Sequence, residues 1–318
     1  MIKKNIWLLG TGLMSSDYAK VLIDLDCEFV TIGRGVENCE IFEKKFNKST
    51  ISGGLDLYLK SRPKLPSAVI VSVGIESLAQ TCHLLLEYGV KKILLEKPGV
   101  GYASEIDDLA SKSLECKAEI YLAYNRRFYS SVLKANEIIK QDGGVTSFNF
   151  EFTEWSHVIS KLKKHKAEHQ NWFLGNSTHI IDTAFFIAGE PKNISTFHKG
   201  SLDWHPSSSI FAGAGETVNG ALFSYQANWE SPGRWVIEVL TKKHRLIFKP
   251  IETLQIQEIG SVALNPVKIN DELDIKYKPG LFLQTKSFLD NKNDSLISII
   301  DQKRMIDNFY LKMSGYSK

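Results

Sequence analysis

The sequence predicts an α/β protein in two parts: a doubly wound parallel sheet, then an α+β domain on a largely antiparallel sheet with one open face. Three observations lead there. Short, nearly all-apolar runs alternate with amphipathic stretches over the first third; a glycine-rich turn joins the first run to the first amphipathic stretch; and after about residue 123 several runs alternate polar with apolar residues. A strand apolar on both faces belongs inside a parallel sheet covered by helices, whereas alternation marks a sheet with one covered face.

Taken in order, the strands of the first part are Ile6–Leu9, Phe29–Ile32, Ala68–Val73 and Ile93–Leu95, all rich in branched residues. Between them Tyr18–Leu25, Glu40–Phe46 and Leu78–Tyr88 carry helical spacing, and Gly89 is well placed as a stop. A helix over Ser104–Leu114 leads to a strand at Ile120–Ala123, completing a βαβ series and a first domain over 1–123. The second domain, 124–318, opens with a helix over Val132–Gln141 that ends at Gly143-Gly144. Strands follow at Val145–Thr153, Ile194–His198, Val218–Ala227, Trp235–Leu240, Arg245–Phe248 and Leu254–Glu258. A helical insert, Ser177–Ile187, interrupts them, and a helical tail, Leu296–Met313, follows. With no long linker between the domains, a cleft there is the expected ligand site. An open sheet face also needs a cover, so a homodimer or homotetramer is expected; the alternation in Leu222–Ala227 and Trp235–Leu240 agrees with this.

Composition narrows the function classes. Of 318 residues 43% are hydrophobic and 24% charged, which excludes a disordered or fibrous chain. Thirty-nine Lys plus Arg against 36 Asp plus Glu leave +3, too balanced for a dedicated nucleic-acid binder. Lys3 and Lys4 before an apolar stretch imitate a signal peptide, but Gly10, Thr11 and Gly12 interrupt the stretch. No apolar run approaches the ~20 residues of a membrane span. Cys27, Cys39, Cys82 and Cys116 show no paired spacing. Reduced thiols in a cytoplasmic protein, with no membrane partner, are the expectation.

Gly10-Thr11-Gly12-Leu13-Met14-Ser15 lies between the first strand and the first helix. The first glycine allows the tight turn, the second lets backbone amides approach a pyrophosphate at the helix N-terminus, and Ser15 is small enough to replace the third. A carboxylate about 20 residues on would bind the ribose of NAD, yet the second strand runs into Gly33-Arg34-Gly35. Arg34 suits a ribose phosphate, so NADP is favoured over NAD. Ser72, Val73 and Gly74 end the Ala68–Val73 run beside the same crevice and join the cofactor contacts, as do Glu96 and Lys97. Lys97, within Glu96-Lys97-Pro98 after a buried strand, can hydrogen-bond a substrate hydroxyl and exchange a proton with it. In the helical insert His179 and Asp182 are three apart and share a face; either they address one space, with the histidine exchanging a proton there, or the histidine is packed against the sheet with Asp182 as a local partner.

The order of these motifs resembles one family. The glycine turn, Glu96-Lys97-Pro98, Asn125-Arg126-Arg127-Phe128, the His179-x-x-Asp182 helix and Gly189-Glu190-Pro191 are similar to the glucose–fructose oxidoreductase / inositol dehydrogenase / rhizopine-catabolism (Gfo/Idh/MocA) family. The resemblance implies a Rossmann domain, an open-faced C-terminal α/β domain, and NAD(P)-dependent hydride transfer on sugars or cyclitols. It implies Lys97 as the catalytic lysine, His179 as the active-site histidine, and Asn125 and Arg126 beside nicotinamide and substrate. Asn176-Ser177-Thr178 resembles members of bacterial surface-carbohydrate synthesis, which implies an amino sugar or nucleotide-linked sugar. Two departures stand out: Gly175 occupies the position of a family aspartate, and Val73-Gly74-Ile75 replaces Thr-Pro-Asn.

The predicted activity is therefore hydride transfer between a nicotinamide and a sugar carbinol or ketone, with Lys97 and His179 in proton transfer and Asp182 or Tyr124 orienting the substrate. Trp155 and Trp172 bracket the basic stretch Lys161–Lys166 and are expected to wall the sugar site. His165-x-x-Glu168-His169 matches a zinc-protease pattern, but the neighbouring lysines oppose a dication and no metal is expected. A non-catalytic, NAD(P)-binding regulatory or scaffold protein of the same fold is the alternative that Gly175 keeps open.

Overall fold

In the computed structural model, which describes residues 5–164 and 166–318 (without the side chain of Ala167), the chain forms two units. Lys3, Lys4 and His165 lie outside the described residues. One unit runs up to Tyr124 and includes Lys276–Lys303; the other comprises Asn125–Ile275 and Arg304–Lys318. Where the sequence has one junction at 123/124, the chain thus passes between units three times, because the helix Leu281–Leu289 packs on the first helix of the first unit.

The first unit is built on β1 (Asn5–Leu9), β2 (Glu28–Ile32), β3 (Thr50–Ile51), β4 (Ala68–Val71), β5 (Lys92–Leu95) and β6 (Glu119–Leu122). They lie parallel in the order β6-β5-β4-β1-β2-β3, and a two-residue strand, Ile297–Ser298, adds antiparallel to β6. Chain order reverses between β1 and β4, which opens a crevice at their carboxyl ends. The apolar runs are buried as their composition requires: Ile6, Leu8, Val69–Val71 and Ile93–Leu95 are all fully enclosed. Each such side chain contributes roughly 1.5–3 kcal/mol. Helices α1 (Leu13–Asp24), α2 (Val36–Phe46), α3 (Gly54–Lys60), α4 (Leu78–Tyr88) and α5 (Ile106–Glu115) connect the strands. Gly89 ends α4 in the left-handed conformation, φ 103°. The Ala68–Val73 run stops as a strand at Val71, which frees Ser72 and Val73 for the crevice.

The second unit opens with α6 (Ser130–Asp142) and carries β7 (Ser147–Glu151), β8 (Pro191–Lys199), β9 (Ile210–Thr217), β10 (Leu222–Asn228), β11 (Val236–Leu240), β12 (His244–Phe248), β13 (Gln255–Glu258) and β14 (Asn265–Pro266). Their order is β14-β13-β12-β11-β7-β10-β9-β8, antiparallel except for the pair β7–β10. Phe148, Phe150, Phe223 and Tyr225 point to one face and are buried, and Phe148, Phe150 and Phe223 meet Phe185 of the helix Thr178–Ala188. On the opposite face Leu222 and Phe197 are exposed.

Strand β9 is absent from the sequence reading because glycine interrupts it. Gly213 and Gly215 face Tyr225 and Phe223; a Cβ there would lie 2.5 and 2.6 Å from those rings. The glycines make room for the aromatics of β10. The helical tail is broken too: Ile297–Ser298 pairs as a strand, and the helix from Ile299 passes through a π-helical turn at Ile306–Tyr310.

Candidate functional site

Backbone hydrogen bonds carry the parallel ladder one residue past each strand at the carboxyl edge. Gly10 N donates to Ile32 O, Ser72 N to Leu9 O, and Glu96 N to Val71 O, each at 2.9 Å. The segments bearing Gly10, Ser72 and Glu96-Lys97 are thereby aligned side by side. Gly10 takes φ +111°, and a Cβ on it would stand 2.5 Å from Ser72 O. Ser15 is fully buried; its Oγ is 2.8 Å from Ser72 Oγ, which donates to Leu9 O at 3.0 Å. The residue in place of the third glycine is therefore a tie between α1 and the end of β4. Gly33 is required by packing as well, since a Cβ would meet Thr11 Cγ2 and Cys39 Sγ at 2.6 Å.

The glycine turn and the end of β4 line a cavity of about 420 Å³, while Ser15, Glu96 and Lys97 lie outside its lining. Gly10, Thr11, Gly12, Gly33, Arg34, Ser72, Val73 and Gly74 all border it. At Gly12 a Cβ would meet nothing within 4 Å, so the space over the start of α1 is open. Gly12 offers no side-chain cap and α1 has no acid in its first turn, leaving the helix-start amides for a ligand. Leu13 is 88% exposed and, like Met14, lies outside the cavity lining. The sequence reading missed the wall made by Gly53, Gly54, Leu55 and Asp56. Its signal was the glycine pair: Gly54 takes φ +82° and its N–H reaches Gly33 O at 2.8 Å. Arg34 is exposed at the rim, 4.0 Å from Glu76 Oε1.

Lys97 follows β5, half-buried, and the Lys97–Pro98 bond is cis. Glu96 accepts a hydrogen bond from the buried Tyr18 hydroxyl at 2.8 Å. Burial pushes the Glu96 carboxyl above its ordinary value, against the Tyr18 hydrogen bond and the charges of Lys97 and Lys278. Tyr124 is placed otherwise than expected: its ring is fully buried, and its hydroxyl accepts from Gln302 Nε2 at 3.0 Å, which also donates to Pro98 O. So enclosed, Tyr124 is tied through Gln302 to the Lys97–Pro98 segment.

In the second unit Asn125 and Arg126 lie in a 3-10 turn, Asn125 buried. His179 is buried on the helix Thr178–Ala188. Asp182 is buried on the same helix. Arg127 grips both carboxylate oxygens, Nε–Oδ2 2.8 Å and Nη2–Oδ1 2.7 Å, so Asp182 holds Arg127 in place. Trp172 is buried, edge-on to Trp204. Trp155 is 47% exposed and borders a cavity of about 640 Å³ with Glu154 and Trp229.

Glu154 is the residue that sequence reasoning overlooked. It is 1% exposed and accepts from Asn176 Nδ2 and Ser177 Oγ, both at 2.8 Å. Burial raises its carboxyl above the ordinary value, against those hydrogen bonds. It thereby anchors the π-helical turn Phe173–Ser177 that leads into the histidine helix. No local pattern announces it, because its partners lie more than 20 positions away in sequence. Glu168 of the zinc-like pattern pairs with Lys164, and among the described residues no group of three His, Cys, Asp or Glu converges on a metal position.

No model of a known protein family matches the sequence, and no curated protein matches it. Solved structures do match. A levoglucosan dehydrogenase in complex with NADH and L-sorbose is 16% identical, with a TM-score of 0.79 over 99% of this chain and 97% of that one. UDP-N-acetylglucosamine 3-dehydrogenase from Acidithiobacillus ferrooxidans is 13% identical, with a TM-score of 0.74 over 99% and 98%. An oxidoreductase from Agrobacterium radiobacter, in complex with NAD+, L-tartaric acid and magnesium, is 11% identical, with a TM-score of 0.75 over 95% and 93%. This chain has their fold. The fold is α/β, with a doubly wound parallel sheet and a second, largely antiparallel one. Among the described residues no helix is long and apolar enough to cross a membrane.

Proposed function

We propose that this chain is an NAD(P)-dependent oxidoreductase acting on a CH–OH or ketone carbon of a sugar, in particular an amino sugar or nucleotide-linked sugar. The observation that carries the reading is the glycine-lined cavity at the carboxyl ends of β1, β2 and β4, in a fold shared with a dehydrogenase solved with NADH and an oxidoreductase solved with NAD+. The resemblance of its motifs to the Gfo/Idh/MocA family supports the same reading.

The cavity fits a dinucleotide on its own terms: it is bordered by backbone, open over Gly12, and faces helix-start amides. Gly10, Thr11 and Gly12 would hold the pyrophosphate, with Leu13 and Met14 flanking it. Gly33 and Arg34 would take the adenosine ribose and its phosphate, which favours NADP. Ser72, Val73, Gly74, Glu96, Lys97 and Asn125 complete the proposed contacts. When bound, the nicotinamide supplies or accepts the hydride. Lys97 Nζ holds or moves the proton at the substrate oxygen and His179 assists, while Arg126 and Trp155 contact the sugar. The protein works in the cytoplasm as a homodimer or homotetramer that covers the open sheet face.

Lys97→Ala is the direct test. Turnover of NADPH with a panel of keto-sugars falls at least 10³-fold while NADPH binding, read by fluorescence, stays within about twofold. Undiminished turnover removes Lys97 from the mechanism. Cofactor binding with no consumption by the parent protein on any sugar would favour the non-catalytic reading attached to Gly175.

A further inference from the structure

In the second unit, five side chains from three segments form one row: Tyr129, Arg126, Trp235, Arg234, Trp155. The Arg126 guanidinium carbon stands 5.8 Å from the Tyr129 ring centroid and 4.6 Å from that of Trp235. The Arg234 guanidinium carbon stands 4.8 Å from the centroid of the same Trp235 and 4.7 Å from that of Trp155. Trp155 is itself held by Nε1 donating to Gly233 O at 2.9 Å.

Two cations beside one indole repel each other, and each gives up hydration to lie against the rings. Burial draws the Arg126 guanidinium below its ordinary value, and Arg234 adds to that, while Tyr129, Glu252 and Glu154 oppose it. Arg234 Nη1 pairs with Glu154 Oε2 at 3.4 Å, the oxygen that Asn176 and Ser177 leave by both bonding Oε1, and the Arg234 side chain is otherwise half exposed. The Arg126 side chain makes no hydrogen bond or ion pair with the described residues, and its Nε is buried with no acceptor. A buried guanidinium N–H without an acceptor is costly unless something supplies one. A guanidinium held against aromatic rings still has N–H groups to donate, and a two-oxygen anion matches that fork.

We infer that the row is a recognition surface for an oxyanion on the substrate, held by Arg126 and Arg234. The chemistry is shared by a uronic-acid carboxylate and by the diphosphate of a nucleotide-linked sugar. The inference rests on the proposed function only in taking that anion as part of the substrate.

Titrating the full chain calorimetrically with UDP, glucuronate and glucose, at low and high salt, tests it. At least one of the two anions binds tenfold or more tightly than glucose and weakens with salt. UDP alone points to the diphosphate, glucuronate alone to the carboxylate. Arg234→Gln weakens that anion at least tenfold while NADPH affinity stays within twofold; Arg126→Lys, keeping charge but losing the fork, is intermediate. Arg126 is half-buried with its Nε enclosed, so Arg234, 47% exposed, carries the test if Arg126→Gln does not fold. Neither anion outbinding glucose, or Arg234→Gln binding the anion as the parent does, overturns the inference. Anion binding without any NADPH consumption would instead remove the redox reading and leave this one standing.

Discussion

At the scale of single residues, the glycines of the nucleotide cavity do separate jobs. Gly10 and Gly33 are demanded by the protein's own packing, Gly12 only by what would lie over it. Gly10→Ala puts a methyl 2.5 Å from Ser72 O at φ +111°, so we expect a loss of about 2–3 kcal/mol in urea unfolding. Gly12→Ala should leave stability nearly untouched and weaken the nucleotide. Glu76 competes for Arg34 at the rim. Glu76→Gln should raise NADPH affinity two- to threefold at low salt and leave NADH unchanged; an equal change for both would separate Arg34 from the phosphate. His205 gives a pH prediction. It is fully buried, its ring nitrogens placed against Ser208 O and Tyr316 Oη, and burial lowers its value from 6.5 to about 4. Between those values the unfolded chain holds the proton and the native chain does not, so stability falls as pH drops from 6.5 towards 4, by about 3 kcal/mol in all. His205→Gln should flatten that part of the stability–pH curve. A curve unchanged by the substitution assigns the acid lability elsewhere.

At the scale of elements, strand ends position the chemistry. Lys97 is placed by β5, whose burial was readable as Ile93–Leu95, and by Glu96, whose link to Tyr18 on α1 was not. The histidine helix was equally readable from its spacing, but its approach was not. A π-helical turn delivers it, and Glu154 holds that turn from the far end of β7. Glu154→Ala strands Asn176, Ser177 and Arg234 at once. We expect a loss of about 2–3 kcal/mol, seen as a lower Tm, together with a rise in KM for the sugar. Glu154→Gln, still able to accept one hydrogen bond, should recover part of it. Strand β9 shows the opposite failure of local reading: its glycines look like a loop until the aromatics of β10 stand opposite them.

At the scale of the whole molecule, the second sheet leaves one face uncovered, with Phe197 71% and Leu222 62% exposed on it. If the proposed pairing of copies uses this face, Phe197→Glu with Leu222→Glu shifts the mass seen by light scattering towards the monomer. An unchanged mass would move the interface elsewhere. The sequence by itself determined the two sheets, the glycine turn between β1 and α1, and the lysine at the end of β5. Those depend on local spacing and on hydrophobic period, which neighbours in sequence carry. Only the tertiary structure decided that Asp182 serves Arg127, that Tyr124 and Trp172 are enclosed, and that Glu154, Gly53 and Gly54 shape the candidate sites. Each of those outcomes turns on which partner a side chain meets across tens of residues. A polar or aromatic group takes its role from that partner.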